Sequence, residues 1–195
     1  LLMTFRLFLR FLVKRRLLLV DPTAALQLPK EPERLPGRAL SPREVKKLLA
    51  QPDTATILGF RDRTILEVLY STGLRTGELI RLRVQDLNLS EGLLTVVSGK
   101  GDKDRVVPLG KTACRYLAEY LKNTRPLLLR APVVDVVFPD RYGREFRPAG
   151  LLKKLALYAK RAGIKKRVIV HTFRHTLATE MLKKGADLRQ IQEML

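Results

Sequence analysis

The sequence predicts a fold that is mainly α with a small antiparallel β-sheet (α+β). Three observations predict it. Apolar residues recur at helical spacing behind recognisable caps. Two short strand-like runs flank a glycine-rich loop. A proline-dense stretch separates an N-terminal helical segment from everything after it.

Residues 1–20 are rich in Leu and Phe, with Arg6, Arg10 and Lys14 at every fourth position and Arg15 and Arg16 following. That pattern predicts an amphipathic helix with a basic stripe, closed by Asp21-Pro22. Its longest uninterrupted apolar run is four residues, against the ~20 needed to span a bilayer. Five of the eleven prolines fall between Pro22 and Pro42 (Pro22, Pro29, Pro32, Pro36 and Pro42), and that density predicts an extended linker over residues 21–40. Ser41-Pro42-Arg43-Glu44 reads as a capping box, with Ser at the cap, Pro at the first helical position and Glu at the third. Val45, Leu48 and Leu49 supply the buried stripe. A second helix, residues 60–72, buries Ile65, Leu66, Leu69 and Tyr70 and stops at Gly73. A short helix over residues 76–82 leaves Arg75 at its start.

Residues 93–97 and 105–107 read as two strands joined by Ser98-Gly99-Lys100-Gly101-Asp102-Lys103. Helices follow at residues 111–123 (Leu117, Tyr120, Leu121 inward) and 148–162 (Leu151, Leu152, Leu155, Tyr158 inward). Two more cover residues 172–184, stopped by Gly185, and residues from Asp187 onward.

Charge narrows the partner. Thirty-eight Lys and Arg against nineteen Asp and Glu give a formal +19. Such self-repulsion points to a polyanion, with nucleic acid ahead of an anionic membrane surface or an RNA scaffold. The single cysteine, Cys114, permits neither an intramolecular disulfide nor a cysteine-based zinc site and fits a reducing cytoplasm.

Three basic sets stand out: Arg75; Lys100 with Lys103; and His171 with Arg174 and His175. Singly, each fits a solvated surface residue or a helix-start residue. His171 and His175 match the outer spacing of a zinc-binding helix, but Thr172 stands where that motif needs a glutamate. They are also the only two histidines, and Arg174 between them repels a cation, so no metal or other cofactor is expected. Together the sets suit a phosphate. Two arginines clamp its non-bridging oxygens, a lysine protonates a departing oxygen and an imidazole moves a proton. The set lacks a nucleophile.

Three segments carry a family resemblance. Residues 70–79, Tyr-Ser-Thr-Gly-Leu-Arg-Thr-Gly-Glu-Leu, resemble the first arginine motif of the tyrosine recombinase (phage integrase) family, especially its Xer-like bacterial members. Residues 98–109, Ser-Gly-Lys-Gly-Asp-Lys-Asp-Arg-Val-Val-Pro-Leu, resemble the family's catalytic hairpin. Residues 171–179, His-Thr-Phe-Arg-His-Thr-Leu-Ala-Thr, resemble its His-x-x-Arg box. The likeness runs from Ser41 to Leu195, and residues 1–20 resemble more loosely the last helix of the family's N-terminal core-binding domain.

The resemblance implies that Arg75 and Arg174 hold the scissile phosphate, that Lys100 protonates the 5′ oxygen and that His171 assists proton transfer. Lys103 is the rival for the lysine role and a further DNA contact; His175 is expected to pack or support. The implied activity is site-specific DNA strand cleavage and rejoining through a 3′-phosphotyrosyl intermediate. The implied partners are double-stranded DNA and other subunits, as a tetramer on DNA.

In the family a Leu-Gly-His element and the nucleophilic tyrosine follow the stretch that here ends at Leu195. All five tyrosines of this chain precede His171. The expectation is therefore a catalytic domain truncated before its nucleophile, able to bind DNA and unable alone to cleave it. The alternative is a non-catalytic DNA-binding relic or decoy.

Overall fold

A central helix buried on most of its circumference organises the larger part of the molecule. This computed structural model describes residues 2–24, 39–97, 104–130 and 134–195. The backbone divides into two units, Leu1–Pro36 and Gly37–Leu195. In the first, α1 covers Leu2–Lys14, shorter than the expected residues 1–20. The helix does not continue because Arg16 takes a left-handed φ of 58°, and Leu17, Leu19 and Val20 beyond it are exposed. The proposed linker lies mostly outside the described residues.

In the second unit, α2 (Pro42–Leu49) opens as the sequence predicts. The Ser41 hydroxyl accepts from the Glu44 backbone N–H, and the Glu44 carboxylate accepts from the Ser41 N–H at 2.8 Å. The central helix α3 (Ile57–Thr72) starts three residues earlier than predicted, because Thr56 caps the Gly59 N–H. It ends at Gly73, whose φ of 63° is the left-handed conformation that suits glycine.

Ile65, Leu66, Val68 and Leu69 of α3 are buried, and so are three charged residues, Arg61, Asp62 and Glu67. Arg61 donates from Nε and Nη2 to Asp62 and from Nη1 to the Pro139 carbonyl, and its guanidinium lies 4.6 Å from the Phe146 ring centre. The other Asp62 oxygen accepts from Lys154 and Tyr158, both on α6 (Pro148–Arg161), at 2.6 and 2.7 Å. A carboxylate in this position is tolerated because both of its oxygens are satisfied.

After α4 (Thr76–Arg81) come three antiparallel strands rather than two. β2 (Leu93–Val96) and β3 (Arg105–Pro108) pair Leu94 with Val107 and Val96 with Arg105, and a two-residue β1 (Leu87–Asn88) pairs with β2. Leu94, Val96 and Val107 point inward.

Helix α5 (Lys111–Glu119) passes into a wider π turn at Tyr120–Thr124 and a tight turn at Arg125–Leu128. Pro126 has no N–H with which to extend the helix. Tyr120 is buried there and donates to the Val137 carbonyl. The chain closes with α7 (Val170–Lys183) and α8 (Leu188–Met194), which Asp187 caps through the Arg189 N–H.

Candidate functional site

The site is built where α3 ends and α7 begins. Helix α7 is anchored by one face: Thr172, Phe173 and Thr176 are buried. The Thr172 hydroxyl accepts from the Ile169 N–H at 3.0 Å, and the Thr176 hydroxyl accepts from the Leu40 N–H at 2.9 Å. That anchoring leaves His171, Arg174 and His175 on the open side, at the i, i+3, i+4 spacing that shares a helix face. His171 and His175 are exposed and Arg174 is half-buried. His175 therefore faces outward, which leaves the supporting role of the two the sequence suggested, packing or support.

Lys166, Arg167, His171, Arg174, His175 and Leu195 line a cleft of about 700 Å³. Lys166 braces its rim, donating to the Ala39 carbonyl at 2.8 Å and to Glu44 at 2.9 Å.

Arg174 reaches across to α3. Its Nη1 donates to the Gly73 carbonyl at 3.4 Å, two residues before Arg75. Space here is closely filled: a Cβ on Gly73 would stand 2.7 Å from the Leu195 side chain and 3.4 Å from the Arg174 Cα. Arg75 begins α4, with its side chain 46% exposed.

Glu78, one turn on, accepts from the Arg75 backbone N–H at 2.7 Å and from Arg75 Nη1 at 2.9 Å. The same carboxylate takes a two-pronged contact from Arg105, with Nη1 and Nη2 each at 2.9 Å. Burial works to raise the Glu78 carboxyl, but the hydrogen bonds and charge of Arg105 and Arg75 outweigh it and hold it below the ordinary carboxylate value. Arg105 Nε donates to the Met194 carbonyl at the end of α8.

The structure thus brings His171, Arg174 and His175 into one cleft and runs Arg174 to the turn that precedes Arg75. Lys100 and Lys103 lie outside the described residues. Sequence reasoning did not single out Glu78, Arg105, Lys166 or Arg167. The one available signal was Glu78, three residues after Arg75 and so within reach of its backbone N–H.

Residues 38–195 match the model of the phage integrase family. The chain belongs to that family. Within it, the chain is 43% identical over 192 residues to the tyrosine recombinase XerD of Staphylococcus haemolyticus, and equally to that of Staphylococcus aureus. These matches take in 98% of this chain and 64% of the relatives' length, so the chain spans just under two thirds of the recombinases it matches.

Among solved structures of this kind, the XerA recombinase superposes with a TM-score of 0.74 at 34% identity, covering 95% of this chain and 63% of that one. The XerH recombinase bound to its difH substrate superposes with a TM-score of 0.69 at 30% identity, covering 81% and 46%. The mainly helical fold with its small antiparallel sheet is that of a Xer-like integrase-family catalytic domain. Among the described residues, no helix is long and apolar enough to cross a membrane.

Proposed function

We propose that this chain holds one phosphodiester of duplex DNA in the cleft beside α7, with Arg75 and Arg174 on its non-bridging oxygens, as part of a site-specific recombinase. The observation that supports the proposal is the Arg174 guanidinium on the Gly73 carbonyl, two residues before Arg75 in the chain. The difH substrate bound in the structure of the XerH site-specific recombinase supports a recombination-site ligand, which we take as duplex DNA.

In the reaction, a tyrosine oxygen attacks phosphorus and the bond to the 5′ oxygen breaks. Lys100 supplies the proton that oxygen takes, and His171 assists proton transfer. A 5′ hydroxyl then reverses the step, so the phosphodiester is conserved. Arg75 and Arg174 stabilise the charge on the phosphate throughout.

The attacking oxygen is not one of this chain's five tyrosines. Tyr120 and Tyr158 are buried, their hydroxyls donate to Val137 and Asp62, and burial raises both above the ordinary phenol range. Tyr116 packs on Phe60, Tyr142 lies beside Arg141, and burial raises half-buried Tyr70. In this proposal residues 1–20 are the last helix of a core-binding domain, residues 21–40 a linker and residues 41–195 the catalytic domain. The protein works as a tetramer on DNA in the cytoplasm, and Lys103 adds a phosphate contact.

Incubation with a nicked suicide duplex tests this. Non-covalent binding without a covalent adduct is expected from residues 1–195. An adduct would overturn the tyrosine assignment, and no binding at low salt would overturn the DNA reading.

A further inference from the structure

A second cavity lies beside the phosphate cleft, and nothing in the proposed reaction uses it. It measures about 640 Å³ and is formed by α6 and the loop that leads from it towards α7. Lys166 and Arg167 line both cavities, so the two are neighbours. Its floor is aliphatic: Ile164 is buried, Leu152 and Ile169 are half-buried and Ala156 is exposed. Its edges are basic. Lys153 and Lys160 stand on α6 and Lys165 and Arg167 on the loop, all four of them exposed.

Among the described residues, no carboxylate pairs with these four cations, whereas nearby Lys154 and Lys166 are tied to Asp62 and Glu44. Like charges gathered around one groove repel each other when no counter-charge is present. Water solvates the lysines, but covering Leu152, Ala156 and Ile169 with water is unfavourable. An occupant that relieves both penalties carries carboxylates on its flanks and aliphatic groups beneath.

Duplex DNA relieves only the first. Its outer surface offers phosphates and sugars, and it has no aliphatic side chain to set on the groove floor. An acidic amphipathic helix supplies both. Lys153 and Lys160 are seven residues apart, two turns or about 10.5 Å along α6. Glutamates two turns apart on a helix lying along α6 meet that spacing.

We propose that the groove between α6 and residues 163–169 docks an acidic amphipathic helix of a partner protein. Its aliphatic face covers the floor and its carboxylates meet Lys153, Lys160, Lys165 and Arg167. The docking site is independent of the phosphate clamp and stands if the clamp does not.

Fluorescence anisotropy with the 195-residue chain tests it at about 0.15 M salt, where charges beyond roughly 8 Å are screened. The probe is a fluorescein-labelled helical peptide of about four turns, with leucines at i, i+3, i+4, i+7 spacing and glutamates elsewhere. Saturable binding is expected, weakened roughly tenfold when serine replaces the leucines or glutamine the glutamates. Lys153→Glu with Lys160→Glu should also weaken it roughly tenfold. The same charge change at Lys111 and Lys122, on α5 and the turn after it, should leave affinity within about twofold. Ala156→Glu sets an acid on the floor and should weaken binding at least as much as the lysine pair.

No saturable binding of the leucine–glutamate peptide overturns the proposal. If the serine peptide binds as tightly, or the α6 and α5 variants behave alike, the attraction is net charge alone and the groove is not a docking site. If Lys153→Glu with Lys160→Glu weakens a labelled duplex and leaves the peptide unaffected, the groove carries DNA and the proposal is wrong. Sedimentation of the parent covers the remaining occupant: self-association that Ala156→Glu abolishes, with no peptide bound, would assign the groove to a second copy of this chain. Should Ala156→Glu fail to fold, the exposed lysine pair carries the test.

Discussion

Two arginine–carboxylate clusters sit at opposite ends of α3 and use the same chemistry to different ends. At the start of the helix, Arg61 is 1% exposed and aims Nε, Nη1 and Nη2 at protein acceptors, with an aromatic ring against its face. Beyond the helix end, the Arg105–Glu78 pair is nearly as enclosed, but Arg75 beside it is almost half open and borders the turn that Arg174 touches. The first cluster is a closed network and stabilises. The second has the same inner pair plus an outward cation, and that outward cation makes it a candidate for binding. Residue type does not separate them; the direction of the donors does.

The comparison breaks most readily at the buried end. Asp62→Ala strands the Arg61 charge inside the protein and should cost about 3–5 kcal/mol in urea unfolding. A loss under about 1 kcal/mol would mean the network is not closed. Next in size, Arg75→Ala should weaken duplex DNA binding by roughly tenfold, the scale of one charged hydrogen-bonding contact, while leaving the unfolding midpoint nearly unchanged. The reverse pattern would make Arg75 structural.

Gly73→Ala combines a left-handed φ with a close approach to Leu195, and thermal melts should show a loss of about 1–2 kcal/mol. Ser41→Ala should cost about 1 kcal/mol in the same melts through the lost cap; an unchanged midpoint would contradict the capping role.

The smallest effect is that of acid. Glu78 is held below its ordinary value of 4.5 in the folded chain. Its contribution is therefore fully present above that pH and is lost as the pH falls through the lower folded value. Glu78→Gln should remove part of the acid sensitivity seen in pH-dependent melts; an unchanged acid limb would contradict the pairing.

Much of this was legible in the sequence because it is local chemistry. Ser41 with Glu44, and Asp187, announce helix starts through side chains that act within three residues, and Gly73 announces a helix end through its backbone freedom. The face shared by His171, Arg174 and His175 follows from helical spacing. The failures have equally physical causes. Helix α1 was read too long because Leu17 to Val20 continue an apolar pattern that cannot show the left-handed turn at Arg16. The strand Leu87–Asn88 is too short to leave a periodic signal. Arg105 was missed because its partner Glu78 lies 27 residues away, and no pattern within one element reports a tertiary charge pair. Of the two roles expected for His175, packing or support, packing is not open to it, because the buried face of α7 is taken by Thr172, Phe173 and Thr176.

The central claim is that Arg75 and Arg174 grip one phosphate of duplex DNA. The salt dependence of binding tests it most directly, for the parent, Arg75→Ala, Arg174→Ala and the double variant. The logarithm of the affinity should fall linearly with the logarithm of salt concentration, and losing one phosphate contact should flatten that slope by about 0.9. If both arginines hold the same phosphate, the double variant should be no flatter than the singles. A parent affinity indifferent to salt, or slopes untouched by either substitution, would contradict the claim.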